Sequence, residues 1–384
     1  MPVFPGWRPD VDLARGFDAT GFAVDGSGWR AIRYKPFAGP FWPSNGSTDD
    51  AYIRLPASFR NDAAGKPSIA LYRTNLAILE AAITADPAKQ DAALVRTIEP
   101  IDEAASGLDL DRDGALGTAT RIVGLPAKFV GGAAAVRVTR ALYPKGVELM
   151  HTVRYLDPDA PAYVAARMKE VRYAQKVAFL EKRELGQAHR SIEDPDKGPT
   201  GDPQRGYRNA VGWQLQGWIE DGAGWLRLQT HEEHQFCLGC HTNLGVTVDQ
   251  TFSFPRKVPG ADGWRVQDPR GIPDVPQLGA RDPEYTQYQA RVGKPAGAAD
   301  DIGAMLYPTR ARALELDRAY LANVIEQSYV WGRDASVIPV IDAHAKIVER
   351  STGLGEADRV ARDVKLLLDW DATADADRSR EARR

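Results

Sequence analysis

The two cysteines of this 384-residue chain stand three positions apart, inside Leu228–Gly245, LQTHEEHQFCLGCHTNLG. Cysteines this close cannot cross-link distant parts of a chain, so no disulfide framework holds the fold. Stability must come from buried apolar surface, which a chain of this length can supply in quantity. Two or three domains are expected at this size. The hydrophobic share of 43% and the charged share of 26% are those of a soluble globular protein. A net charge of -3 without basic blocks argues against nucleic-acid binding, and the apolar runs are far too short to span a bilayer. The N-terminal MPVFPGWRPDVD has neither a charged nor an apolar leader region, so no signal peptide is legible there.

Cys237, Cys240 and His241 spell C-x-x-C-H. Thr230 and Glu233 just upstream have the spacing of a capping box, which predicts a helix from about His231. On a helix, residues three apart share a face, so both thiols could add to the vinyl groups of one haem. His241 would reach the iron from the same side, which is the c-type haem attachment pattern. Such attachment takes place outside the cytoplasm. Zinc is the rival reading, because His231, His234, Cys237 and Cys240 recur every three residues. Along one helix they would spread over about 13 Å. A tetrahedral site would then need a broken helix or a ligand from elsewhere. A redox dithiol lacks the expected βαβ context.

The sixth iron ligand separates an electron carrier from a catalyst. His151 is one candidate: in VELMHTVRY, strand alternation places it with Val147, Leu149, Val153 and Tyr155 on an otherwise apolar face. Met305, on a downstream loop, ranks next, and an open site third. A filled site implies electron transfer, and an open one permits peroxidase-like chemistry. A second metal candidate is DLDRDGALGTAT, where Asp109, Asp111 and Asp113 precede Gly114 with Ca²⁺-loop spacing. Its twelfth position is Thr120 rather than the bidentate Glu of an EF-hand.

The segment FCLGCHTNLG resembles the attachment site of bacterial c-type cytochromes. More loosely, FWPSNGSTDDAYIRLP, DQTFSFPRK and YVWGRDASV are similar to segments of large, poorly characterised, extracytoplasmic single-haem proteins. The resemblance implies one covalent haem c, an unknown redox partner protein and a periplasmic or otherwise extracytoplasmic location.

Four regions are expected: a Gly/Pro/Trp-rich wrapping segment at 1–65, an α+β region at 66–200, a haem-bearing, mostly helical region at 201–370, and a disordered tail at 371–384. Thr74 or Asn75 should cap a helix that ends before Pro87. Pro144-Lys145-Gly146 should turn a hairpin, residues 163–185 lean towards helix, and EYTQYQARVG reads as a helix ending at Gly293. The expected fold is α+β, with a β-containing N-terminal region packed on a cytochrome c-like helical region. The expected function is electron transfer through one haem. The alternatives are a haem peroxidase or a zinc-stabilised or metal-free binding protein.

Overall fold

The computed structural model describes residues 10–36, 47–85, 93–156, 160, 162–192, 199–220, 226–231, 233–234, 247, 249–251, 253–268, 270–276 and 281–291. Eleven strands appear among them: β1 (Arg30–Ile32), β2 (Ser47–Thr48), β3 (Ala51–Arg54), β4 (Val95–Asp102), β5 (Thr118–Val123), β6 (Glu148–Leu156), β7 (Val164–Lys176), β8 (Thr200–Asp202), β9 (Gly206–Arg208), β10 (Trp213–Glu220) and β11 (Leu226–Leu228). Nine form one antiparallel sheet in the order β1-β3-β6-β7-β10-β9-β8. In addition, β2 pairs with β6 and β11 with β10. The other two, β4 and β5, make a separate antiparallel pair.

Both faces of the central strands are covered. Ile53, Leu149, Ala174 and Leu215 lie in one cross-strand row and join the main core. Tyr52, Met150 and Tyr173 form the next row, face the opposite side and join a second cluster around Trp29 and Trp218. Each row alternates with the next because successive strand side chains point to opposite faces. Against the main core lies the helix Ile69–Ile83, whose residues from Leu76 to Ile83 are all buried.

This architecture corrects the expected fold class. The protein is mostly antiparallel β-sheet with few helices, not a β region on a mostly helical one. Residues 164–176, read as helical, form the long strand β7. Its Val171 and Tyr173 alternate with Arg172, a period of two that the charged residues obscured. The expected hairpin at Pro144–Gly146 pairs otherwise, because β6 takes its partners from β2, β3 and β7. Ser68, not Thr74 or Asn75, caps the helix at 69, accepting from Leu71 N at 3.4 Å. Thr74 and Asn75 are buried in its second turn, where Asn75 bonds the carbonyls of Phe59 and Val130. The helix Glu284–Arg291 lies where EYTQYQARVG placed it.

Residues beyond 247 are fastened to the N-terminal half by buried ion pairs. Lys176 of β7 meets Asp249 at 2.7 Å. Lys257 meets Glu80 of the long helix at 3.1 Å, with both side chains fully buried. Glu284 Oε1 accepts from Arg256 Nη1 at 2.6 Å, and Glu284 Oε2 forms an ion pair with Lys35 Nζ at 2.7 Å. Charges taken out of water persist only when paired and hydrogen-bonded, so these residues reflect the long-range contacts of the fold.

Candidate metal centre

The acidic stretch lies in the connection between β4 and β5. Leaving β4, the chain makes a 3-10 turn at Glu103–Ala105, with Asp102 accepting from Ala104 N at 3.0 Å. Glu103 N donates back to Gly117 O, so the connection closes at its base. Leu110 is buried in the core and its carbonyl accepts from Val123 N at 2.8 Å, which pins the middle of the loop.

The turn itself is built from side-chain acceptors. Asp109 Oδ2 accepts from Gly114 N at 3.0 Å, Asp111 Oδ1 from Asp113 N at 3.3 Å, and Asp113 Oδ1 from Ala115 N at 2.8 Å. Gly114 has φ +88, a left-handed conformation that glycine adopts without strain. Glu103 reaches under the loop. Its Oε1 accepts from Leu110 N at 2.6 Å and Asp111 N at 3.4 Å, and its Oε2 from Gly117 N at 2.9 Å.

Glu103, Asp109 and Asp111 each bring one carboxylate oxygen into a group whose atoms lie within 4.8 Å of one another. Asp109 Oδ1 is buried without a hydrogen-bond partner among the described residues. Two of the three expected carboxylates therefore converge. Asp113 stands outside this group and stabilises the turn through Ala115. The third member, Glu103, was missed because it precedes the motif by six residues. Its signal was an acid at the end of a strand, directly before the Asp-rich turn. Thr120 is part of β5, so the strand carries it away from the loop.

His151 occupies the middle of β6, in register with Ala51 and Arg172. Its Nδ1 lies 2.8 Å from Asp49 Oδ2, a partner that the sequence reading did not find. Burial, then the nearby Arg172 charge, holds the His151 pKa down to about 3, against a raising effect of Glu170. Burial, then the neighbouring Asp50 charge, pushes the Asp49 carboxyl well up, while Arg172 and Arg154 lower it. The capping box before the cysteines is formed: Thr230 N donates to Glu233 Oε2 at 2.8 Å, and Glu233 N to Thr230 Oγ1 at 3.3 Å. His231 Nδ1 lies 2.8 Å from Tyr207 Oη, and buried His234 packs 4.9 Å from the same ring. Cys237, Cys240, His241 and Met305 lie outside the described residues.

The comparisons with known proteins point away from a cytochrome. A family model described as ":-like lipoprotein" matches residues 15–298. An uncharacterized lipoprotein of Aquifex aeolicus (strain VF5) is 36% identical over 256 residues, covering 65% of this chain and 39% of the relative. The chain thus spans about two fifths of the length of that curated relative. No solved structure matches. These matches, with the mostly β fold, overturn the resemblance to single-haem cytochromes. They overturn with it the expected haem electron transfer and its peroxidase and zinc alternatives. A lipoprotein family agrees with the extracytoplasmic location, and no helix among the described residues is long and apolar enough to cross a membrane. Matched over well more than half of its length, the chain belongs to this lipoprotein family.

Proposed function

We propose that this chain is a β-sheet part of a periplasmic lipoprotein and that its loop 103–117 binds one Ca²⁺ that stabilises the β4–β5 connection. The observation that carries the reading is the convergence of one carboxylate oxygen each from Glu103, Asp109 and Asp111, together with a buried Asp109 Oδ1 that has no hydrogen-bond partner among the described residues. Three carboxylates gathered in one loop repel one another unless a cation sits among them. Calcium fits the chemistry: it takes six to eight oxygens in a flexible shell, and loop carbonyls and water can complete the set. A partly exposed site of this kind belongs with weak extracellular modules, with a Kd on the order of 10⁻⁴–10⁻³ M.

Elemental analysis and titration calorimetry test the proposal on protein stripped with EDTA. One Ca²⁺ per chain is expected, with a melting temperature that rises as free Ca²⁺ is added. Asp109→Asn with Asp111→Asn should abolish both effects. No bound Ca²⁺ and an unchanged melting temperature in the unaltered chain would overturn it.

A further inference from the structure

The turn of aspartates carries a positive charge of its own. Arg112 is the one Lys or Arg between residues 103 and 117, and Asp111 and Asp113 flank it. An exposed guanidinium in such company is expected to lie on a carboxylate, where its fork of N–H donors finds a matching acceptor. It does not: among the described residues, exposed Arg112 forms no ion pair and no hydrogen bond. Its side chain runs instead to Gly124, the residue that follows β5. A Cβ added at Gly124 would lie 2.7 Å from Arg112 Cζ and 3.1 Å from Arg112 Nη1. The guanidinium thus fills the place that a side chain at 124 would take.

The backbone fixes this arrangement. Arg112 has φ 57, a left-handed conformation that a residue with a Cβ adopts at a cost, and only where the surrounding structure imposes it. Hydrogen bonds on either side impose it here: Val123 N donates to Leu110 O at 2.8 Å, and Gly114 N to Asp109 Oδ2 at 3.0 Å. Gly124 is left-handed as well, with φ 71, and its N donates to Leu94 O at 2.7 Å. Glycine therefore serves twice at 124, taking that conformation without strain and leaving room for the guanidinium.

We propose, on the Ca²⁺ reading above, that Gly124 is a positioning residue of the metal loop: it gives the Arg112 guanidinium a berth at the end of β5 and so keeps the loop's own cation off the carboxylates that would hold the metal. A guanidinium released from the berth meets the flanking carboxylates of Asp111 and Asp113 first. Once paired with Asp111, it must be displaced before a metal can enter. An exposed ion pair of this kind weakens the competing ligand by up to about fivefold. In the berth the same charge acts on the site only through solvent, which screens it to an effect of about twofold.

Calcium titration of four proteins tests this: the unaltered chain, Arg112→Ala, Gly124→Ala and the double variant. Alanine at 112 keeps the Cβ and removes the charge, so the Kd should stay within about twofold of the unaltered chain. Gly124→Ala should weaken binding about fivefold, and the double variant should return to within about twofold. The strain of alanine at 124 is common to both Gly124 variants, so the recovery reports the guanidinium alone. A Kd for Arg112→Ala outside its range, an unweakened Gly124→Ala, or a loss that persists in the double variant refutes the proposal. Proton NMR in EDTA keeps its failure apart from that of the Ca²⁺ reading. A contact between Arg112 Hε and Gly124 Hα in the unaltered chain, replaced in Gly124→Ala by contacts with the Hβ atoms of Asp111 or Asp113, supports the berth even if no Ca²⁺ binds. Absence of the first contact, or its persistence in Gly124→Ala, sinks it. Should Gly124→Ala not fold, the first contact and the Arg112→Ala titration decide.

Discussion

Replacing Glu103 with Gln separates the architecture of the loop from its proposed metal. Glu103 is almost wholly buried and accepts three backbone N–H groups, from Leu110, Asp111 and Gly117. Glutamine offers one acceptor oxygen. Its better orientation keeps Leu110 and Asp111 served and turns the NH₂ towards Gly117 N–H, donor against donor. An unsatisfied buried donor costs about 1–3 kcal/mol. The two surviving bonds lose their charge assistance, which roughly halves them and adds about 1 kcal/mol. The sum is about 2–4 kcal/mol, and it applies with no Ca²⁺ present. Asp111→Asn leaves the buried bonds of Glu103 in place, so in EDTA it should cost no more than about 0.5 kcal/mol, as ordinary surface changes do. Its effect should appear only as the lost Ca²⁺ increment. Urea unfolding of both variants, in EDTA and in excess Ca²⁺, reads the two quantities separately. If Glu103→Gln in EDTA lies within about 0.5 kcal/mol of the unaltered chain, Glu103 is not the acceptor that holds the loop.

Two further outcomes follow from the core. Glu80→Leu leaves Lys257 buried opposite no charge and should cost about 3–5 kcal/mol, whereas the Glu80→Leu, Lys257→Met double variant should recover part of that loss in the same unfolding assay. Gly263→Ala would drive a Cβ into Val258 O and set it 2.6 Å from Lys257 Nζ. Since the first obstacle is backbone and cannot swing away, the loss should reach the upper end of about 1–3 kcal/mol, measured by thermal or urea denaturation.

Local signals in the sequence located the local features. The capping box at Thr230 and Glu233, the helix from Glu284 and the turn at Asp109–Gly114 all depend on neighbours a few residues apart. The same kind of signal misled where two elements share it. Residues 164–176 alternate on a two-residue period, but Lys, Arg and Glu on both faces hid it. Those charges are accommodated because they are paired, Arg172 with Glu170 two residues along the same strand and Lys176 with Asp249 from a distant turn. The C-x-x-C-H spacing was read as the key to the whole chain. That motif spans ten residues, whereas the family match spans residues 15–298 and the fold is mostly β.

The chain by itself determined what short range can determine: no disulfide framework, a turn of aspartates around Gly114, and a helix start before the cysteines. It also marked His151 as a polar residue on an apolar face, which required a partner without naming one. Tertiary structure chose Asp49, 102 residues away, and brought Glu103 beneath the aspartate turn. It also paired Lys257 with Glu80 across 177 residues. The physical reason is the same in each case. A buried charged group is tolerated only where partners satisfy it, and which partners arrive is set by how distant segments of the chain pack together rather than by separation along the chain.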